Sequence, residues 1–166
     1  MRLAVISLGC PKNLVDSEKI IGSLADTGIE LCSNPDESDV VIINTCGFIK
    51  PAIEETERVI ADVLSSTKGL KTKVYVTGCA VNRLDGRLRR RFKGVKAWFK
   101  LNEQTQLIHT ISRGNISNAR LCSTRGYAYL KISDGCSNYC SYCTIPMIKG
   151  KYRSFSMPIQ NHSMSK

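Results

Sequence analysis

The side chains whose type and spacing most directly suggest chemistry are cysteines, of which the 166-residue chain has eight. Three of them form a C-x3-C-x2-C pattern on one short segment: Cys136, Cys140 and Cys143. Three thiolates on one loop can hold three irons of a four-iron cluster and leave the fourth without a protein ligand. The alternative is structural zinc, which normally takes four protein ligands. His162 is a candidate fourth ligand, but its spacing fits no familiar zinc pattern, so the sequence favours a cluster.

Three further cysteines lie far apart in the sequence, yet each follows a predicted strand and has a glycine beside it: Cys10, Cys46 and Cys79. The carboxyl ends of parallel strands meet at one edge of a sheet, where ligands bind. A glycine lets the backbone turn tightly beside a bulky ligand. The alternative is three buried structural cysteines, since free cysteine is among the most buried residue types. The repeated placement favours a shared metal site.

Strand and helix patterns alternate along the first part of the chain. Short apolar segments predict buried strands, and amphipathic segments between them predict helices. The predicted strands are 2–8, 39–45, 73–77 and 95–99, and the predicted helices begin at Asn13 (as N-cap), Pro51, Leu84 and Asn102. Such alternation is typical of parallel βαβ units. The sequence therefore predicts an α/β fold, with an open parallel sheet flanked by helices over residues 1–111.

Composition divides the rest of the chain. Residues 112–125 are rich in Ser, Arg and Asn and predict a linker. Residues 126–133 predict a new strand, which begins a second domain over residues 126–166. The division predicted is therefore a domain over 1–111, a linker over 112–125 and a second domain over 126–166.

The charge is uneven along the chain, whose net value is +10. Residues 1–66 hold five basic and eleven acidic side chains, whereas residues 67–166 hold 19 and three. Such asymmetry favours a polyanionic partner, and the alternative is a solvated basic surface. No apolar run is long enough to span a membrane, and no secretory signal is recognisable. We therefore expect a cytoplasmic protein that does not bind membranes, in which patterned cysteines bind metal rather than form disulfides.

The cysteine loop, with aromatic Tyr142 before its last cysteine, resembles that of the radical S-adenosylmethionine superfamily. Five segments together resemble the methylthiotransferases of that superfamily: 7–18, 44–49, 77–79, 127–136 and 145–154. The resemblance implies an auxiliary [4Fe-4S] cluster on Cys10, Cys46 and Cys79, and a radical-generating one on Cys136, Cys140 and Cys143. It also implies that S-adenosyl-L-methionine binds the open iron of the second cluster, with Tyr142 near the adenine.

The substrate branch depends on a few residues. The segment 9–17 resembles the RimO type, which adds a methylthio group to the β-carbon of an aspartate in a small-subunit ribosomal protein. The tRNA-modifying type usually has Gln-Met where this chain has Pro11 and Lys12. The resemblance also implies an electron donor and contact with RNA near the substrate. Two alternatives are a tRNA adenosine methylthiotransferase and an inactive iron–sulfur-binding fragment.

The resemblance is to the beginning of a barrel only. A full (β/α)8 barrel takes about 250 residues, so residues 126–166 supply about one unit. A lone barrel strand cannot pair its edges. We therefore expect residues 126–166 to be the first βα unit of an incomplete radical S-adenosylmethionine barrel, loosely attached to the rest, and the truncated chain to lack turnover.

Overall fold

A five-stranded parallel sheet forms the centre of the N-terminal region. The computed structural model describes residues 1–25, 27–112 and 116–156. The strands of this sheet are β1 (Arg2–Ser7), β2 (Glu30–Leu31), β3 (Val40–Thr45), β4 (Lys73–Gly78) and β5 (Ala97–Phe99). They lie in the order β2-β1-β3-β4-β5, and every adjacent pair is parallel. The predicted α/β fold with an open parallel sheet is confirmed.

Four helices flank the sheet. They are α1 (Pro11–Ala25), α2 (Lys50–Ser66), α3 (Cys79–Arg91) and α4 (Gln104–Ser112), with 3-10 turns at Pro35–Glu37 and Leu101–Glu103. Alternate residues of β3 face opposite sides of the sheet. Val41 and Ile43 pack with side chains of α2 and α3, whereas Val40 and Ile42 pack with side chains of α1 and α4. The apolar run of β3 is therefore buried on both faces, as parallel strands usually are.

Two helix starts differ from the prediction by more than two residues. Helix α1 begins at Pro11, whose fixed φ suits the first helical position, so Asn13 lies inside the helix and is not its N-cap. Helix α3 begins at Cys79 directly after Gly78, whose φ is +106°. The predicted start, Leu84, is where the helix kinks, with a φ of −130°. The kink interrupts the helical pattern, which explains why the sequence pointed to only its second half.

The remaining described residues contain three short elements: β6 (Ser133–Asp134), α5 (Ile145–Lys149) and β7 (Arg153–Ser154). Strand β6 followed by α5 is the order expected of a βα unit. However, the strand is much shorter than the predicted 126–133, and it pairs antiparallel with β7. The backbone N–H of Phe155 donates to the carbonyl of Ile132 at 2.9 Å, but within the described ranges residues 127–132 belong to no strand ladder. His162 lies outside the described residues.

Residues 116–156 pack against the N-terminal domain, so the expectation that this region is loosely attached was wrong for the described part. Arg120 forms a buried ion pair with Glu18 of α1, and Lys131 forms another with Asp16. Ile148 of α5 is 1% exposed. Residues 113–115 of the predicted linker lie outside the described residues, and the division into domains stays a prediction. No helix in the described ranges is long and apolar enough to cross a membrane.

Candidate metal centre

The carboxyl ends of β1, β3 and β4 lie side by side. In the register of the sheet, Asn44 of β3 pairs with Ser7 of β1 on one side and with Thr77 of β4 on the other. Cys10, Cys46 and Cys79 follow these three strands within a few residues. We call the segments 8–10, 45–47 and 78–80, which contain these cysteines, the three cysteine loops. The adjacency of the strands therefore brings all three cysteines to the same edge of the sheet.

Glycines allow the three cysteine loops to touch. Gly9 has a φ of +90°, and a Cβ placed on it would lie 2.7 Å from the Sγ of Cys46. A Cβ on Gly47 would lie 2.6 Å from the Cα of Ala80, the residue after Cys79. Real atoms do not approach so closely, so a side chain at either position would push two loops apart. The glycines noted in the sequence thus serve the contact between loops.

The three thiols of this edge differ in exposure. Cys10 is exposed, whereas Cys46 and Cys79 are 7% and 4% exposed. The pKa of the Cys79 thiol is raised to about 11, mainly by burial and to a smaller extent by the nearby Cys46, Cys10 and Asp16, against the opposing effect of Lys149. The thiol of Cys79 donates a hydrogen bond to Oδ1 of Asn13 at 3.5 Å. The iron-free thiol is therefore protonated at neutral pH, and binding a metal requires release of that proton.

Two side chains that the sequence analysis did not single out fix the loop after β3. The hydroxyl of Thr56 donates to the carbonyl of Cys46 at 2.8 Å. The guanidinium of Arg83 donates to the carbonyls of Gly47 and Phe48 at 2.8 and 3.0 Å. The spacing of Arg83, one helical turn after Cys79, was the available signal, because residues i and i+4 share a helix face. Such a signal alone does not say which loop the side chain reaches.

The donor set at this edge has the chemistry of iron–sulfur cluster ligands. Within the described ranges, no three His, Cys, Asp or Glu side chains are arranged to hold a metal ion. In a cluster, by contrast, each thiolate binds a different iron atom, so the ligands do not converge on one point. All the cysteines are free, and those at this edge come from three separate loops. Thiolates are the usual protein ligands of [4Fe-4S] clusters.

The second triplet lies on the loop between β6 and α5. The N–H of Cys143 donates to the carbonyl of Cys140 at 3.0 Å, and the N–H of Cys136 donates to Gly150 at 3.1 Å. Cys136 and Cys143 are half-buried and Cys140 is exposed. Tyr142 is 88% exposed, with its ring available to a ligand. This loop therefore presents three accessible thiols and one aromatic side chain.

Helices α3 and α5 join the two cysteine sites. Helix α3 begins with Cys79, and α5 begins two residues after Cys143. The amide of Asn82 in α3 donates to the carbonyl of Ile148 in α5 at 2.8 Å, while its oxygen accepts from the N–H of Leu101. The two sites are thus held by elements that pack directly on each other.

Buried charges connect the same regions. The ammonium of Lys131 contacts Asp16 at 2.8 Å and Asp134 at 2.9 Å, and Lys149 contacts Asp134 at 3.4 Å. Burial raises the pKa of Asp134, but the opposing effects of Lys131 and Lys149 are larger in sum, so the pKa is lowered overall. Asp134 precedes the loop that carries the second triplet, and Asp16 lies on α1. The network therefore fixes that loop to the N-terminal domain.

A basic cleft of about 670 Å³ lies beside this network. Its lining includes Lys19, Lys100, Lys151 and Arg153. None of these four contacts a carboxylate within the described ranges at salt-bridge distance, whereas the two aspartates of the lining are paired with Lys131 and Lys149. The cleft thus presents an excess of positive charge, in keeping with the basic second part of the sequence.

Comparison with protein families and with known proteins shows what the chain is similar to. The model described as "Uncharacterized protein family UPF0004" matches residues 2–100. A ribosomal protein uS12 methylthiotransferase RimO from Aquifex aeolicus (strain VF5) is 44% identical over 156 residues, covering 93% of this chain and 35% of the relative. A protein of the same name from Sulfurihydrogenibium sp. (strain YO3AOP1) is 41% identical, covering 93% and 36%. Another, from Nitratidesulfovibrio vulgaris (strain DP4), is 42% identical, covering 90% and 36%.

The chain thus spans about a third of the length of the curated relatives it matches. The names of these relatives confirm the predicted resemblance to RimO-type methylthiotransferases. They do not favour the tRNA-modifying type. The family match covers the five strands of the sheet, helices α1 to α3 and all three cysteine loops described above. On this match and these identities, the chain belongs to the UPF0004 family and resembles the RimO-type methylthiotransferases.

Proposed function

We propose that this chain forms the cluster-binding part of a radical S-adenosylmethionine methylthiotransferase whose substrate is an aspartate of a small-subunit ribosomal protein. The observation that carries the proposal is the meeting of three cysteine loops at one edge of a parallel sheet. The relatives' names supply the reaction and the substrate, ribosomal protein uS12. The methylthio group is added at the β-carbon of the aspartate.

Each cysteine triplet has its own role in this proposal. Cys10, Cys46 and Cys79 hold an auxiliary [4Fe-4S] cluster, and the triplet on the loop after β6 holds a second one. A four-iron cluster with three thiolate ligands supplies an open iron and, when reduced by an electron donor, an electron for radical chemistry on S-adenosyl-L-methionine. The exposed ring of Tyr142 is suited to contact the adenine of that molecule. The cysteines must release their protons to bind iron.

The rest of the chain sets the distance between the two sites. Asn82 and Ile148 fasten α5 to α3, and Lys131 links Asp16 to Asp134. These contacts are made by side chains that are not cysteines and therefore exist without iron. In the proposed reaction, they keep the site that carries sulfur at a fixed position relative to the site that generates the radical.

The basic cleft supports contact with RNA. A ribosomal protein is presented beside ribosomal RNA, and lysine and arginine side chains bind phosphates without reading sequence. Lys19, Lys100, Lys151 and Arg153 provide such side chains in one place. We place the reaction in the cytoplasm, where free cysteines stay reduced.

The proposal concerns the enzyme of which these residues form the cluster-binding part. The test is therefore mass spectrometry of ribosomal protein uS12 and of tRNA nucleosides from cells in which the gene for that enzyme is intact, deleted or replaced by variants. We expect the methylthio group on the uS12 aspartate to be lost on deletion and in Cys46→Ala and Cys140→Ala cells. Cys32→Ala is the matched control, because Cys32 is free and belongs to neither triplet; it should keep the modification.

The other outcomes separate the alternatives. Loss of a tRNA methylthio group with uS12 unchanged would assign the chain to the tRNA-modifying type. If neither molecule changes on deletion, while the purified chain still binds iron and sulfide, the chain is an inactive iron–sulfur-binding fragment. Either result contradicts the proposed function.

A further inference from the structure

Asn13 stands out among the polar side chains of the N-terminal domain. It lies in the first turn of α1, close to Cys10, and is 0% exposed. A buried amide without hydrogen bonds destabilises the folded chain, because its polar atoms lose their bonds to water. Its partners therefore indicate why an asparagine occupies this position.

The side chain of Asn13 contacts all three cysteine loops. Its amide nitrogen donates to the carbonyl of Leu8 at 3.0 Å and to the carbonyl of Thr45 at 2.9 Å. Its oxygen accepts the thiol hydrogen of Cys79 at 3.5 Å. Leu8 lies two residues before Cys10, and Thr45 lies directly before Cys46. One side chain therefore joins the ends of β1, β3 and β4.

The backbone of Asn13 is itself fixed. Its N–H donates to the carbonyl of Cys10 at 2.9 Å. Its carbonyl accepts from the amide of Asn44 at 2.9 Å, and that amide also donates to the hydroxyl of Ser17 at 2.9 Å. Ser17 donates in turn to Ser7 at 2.8 Å. The amide of Asn13 is thus held in place by α1 and by the two strands beneath it.

Asparagine suits this position because its amide is both donor and acceptor. Two donor hydrogens match two carbonyls, and the oxygen matches a thiol. Alanine would remove the donor to two loop carbonyls and the acceptor of the Cys79 thiol. Aspartate would keep an oxygen for the thiol but would place a second oxygen against the two carbonyls. The geometry therefore uses the amide specifically.

We propose that Asn13 is a positioning residue that holds the three cysteine loops in register before any cluster binds. The proposal rests on the proposed function for its purpose, since the loops are taken to share a cluster. It does not rest on that function for its test, because the hydrogen bonds exist in the iron-free chain.

The test compares the rates of cysteine alkylation in the wild type and in variants, each as the reduced, iron-free 166-residue chain. The rates at Cys46 and Cys79 are measured by peptide mass spectrometry, with exposed Cys122 as internal reference. We expect Asn13→Ala to raise the rate at Cys79 by about tenfold or more, because loss of a buried hydrogen bond shifts local opening by roughly this factor.

Thr72→Val is the matched control. The hydroxyl of Thr72 also donates to a carbonyl between strand ends, that of Ser38 at 2.7 Å, but at the opposite edge of the sheet. It should lower thermal stability without changing alkylation at Cys79 relative to Cys122. Equal increases at Cys79 in both variants would show that Asn13 is merely structural and would overturn the proposal.

Asn13→Asp provides a second variant if the alanine variant does not fold. It should raise alkylation at Cys46, whose loop loses its donor, more than at Cys79, whose acceptor is kept. Unchanged alkylation at Cys46 would contradict the proposal.

Cluster binding is measured separately, by anaerobic treatment with ferrous iron and sulfide in a chain whose second triplet is replaced by alanine. With Asn13 intact this chain should acquire the absorption of a cluster, and Asn13→Ala should reduce the amount retained after gel filtration. If no cluster forms with Asn13 intact, the proposed function fails, while the alkylation result still decides the role of Asn13.

Discussion

At the scale of single residues, two glycines inside helices have opposite surroundings. A Cβ on Gly22 of α1 would lie 2.5 Å from the carbonyl oxygen of Ala119 and 2.6 Å from the Cα of Arg120. A Cβ on Gly86 of α3 would meet nothing closer than the end of the Arg90 side chain, at 3.6 Å. Gly22 therefore lets the segment after α4 lie directly across α1, whereas Gly86 allows no comparable close approach.

We predict opposite effects for Gly22→Ala and Gly86→Ala. Alanine favours a helix over glycine by about 1 kcal/mol, so Gly86→Ala should raise the free energy of unfolding by roughly 0.5–1 kcal/mol. Gly22→Ala should lower it, because the backbone at Ala119 has to move away. Urea unfolding measures both values. A stabilising Gly22→Ala would contradict the close approach.

The sequence identified the cysteines but not the side chains that support them. Their types, glycine neighbours and spacing were visible in the sequence, and the structure places one triplet at a common edge. The hydrogen bonds of Asn13 could not be predicted, because a polar residue near a helix start is also typical of an N-cap. Arg83 and Thr56 were missed because their partners are backbone carbonyls far away in the sequence. Hydrogen bonds to the main chain leave no pattern in side-chain types.

At the scale of elements, α5 shows how a very short helix can be held in place. It has only five residues, far too few to be stable in isolation. Helix α5 packs on α3, and Ile148 is 1% exposed, whereas its neighbour Met147 is 70% exposed. Tertiary packing through one side chain, together with the hydrogen bond from Asn82, therefore supports the helix.

We predict that Ile148→Ala detaches α5 and that Met147→Ala does not. Removal of a buried isoleucine side chain costs roughly 2–5 kcal/mol, which exceeds what a five-residue helix can lose. Hydrogen exchange of residues 145–150 should become fast in Ile148→Ala while the strands of the sheet keep their protection. Protection of α5 in both variants would show that ion pairs, and not Ile148, hold the loop that carries the second triplet.

Four of the five strands of the parallel sheet could be predicted from the sequence, whereas the two-residue β2 and the elements of the second region could not. Buried strands such as β3 are continuous apolar runs, and their burial on both faces follows from the helices that alternate with them. The apolar residues 127–132 gave the same signal. They form no strand because sheet formation depends on neighbours that sequence periodicity does not reveal. The pairing of β6 with β7 involves two residues on each strand, too few to leave a pattern.

At the scale of the whole molecule, one buried ion pair ties the segment after α4 to the N-terminal domain. Arg120 and Glu18 have side chains 3% and 2% exposed. The hydroxyl and the N–H of Ser123 donate to the other oxygen of Glu18, each at 2.7 Å. Burial alone raises the pKa of Glu18, but the hydrogen bonds from Ser123 and Arg120 outweigh it, so the net pKa is lowered. The carboxylate is therefore stabilised in its charged form.

We predict that this contact makes the molecule acid-sensitive. Because the pKa of Glu18 is lower in the folded chain, its contribution is complete above the unfolded pKa of about 4.3 and is lost as pH falls through the folded value. Glu18→Gln should lower the free energy of unfolding by roughly 3–5 kcal/mol at neutral pH, since Arg120 stays buried without its partner. The difference from wild type should shrink in acid.

Glu37→Gln is the control for that titration. The pKa of Glu37 is also lowered, by hydrogen bonds from Asn34 and Arg2, but its side chain is 50% exposed. Exposed ion pairs contribute little, so this variant should follow the wild-type stability curve at every pH. A constant difference between wild type and Glu18→Gln down to strong acid would contradict the prediction.

The sheet order has a consequence for how the molecule forms during synthesis. The cysteine edge draws on β1, β3 and β4, whose parallel pairing joins segments separated by whole helices. Such distant contacts form slowly, because the chain loses the entropy of long loops before the contacts that close them stabilise it. A nascent chain that has not yet exposed Cys79 lacks the third thiol and the start of α3. A cluster of the kind proposed above could therefore find all three thiols at this edge only after residue 79 and the start of α3 have left the ribosome.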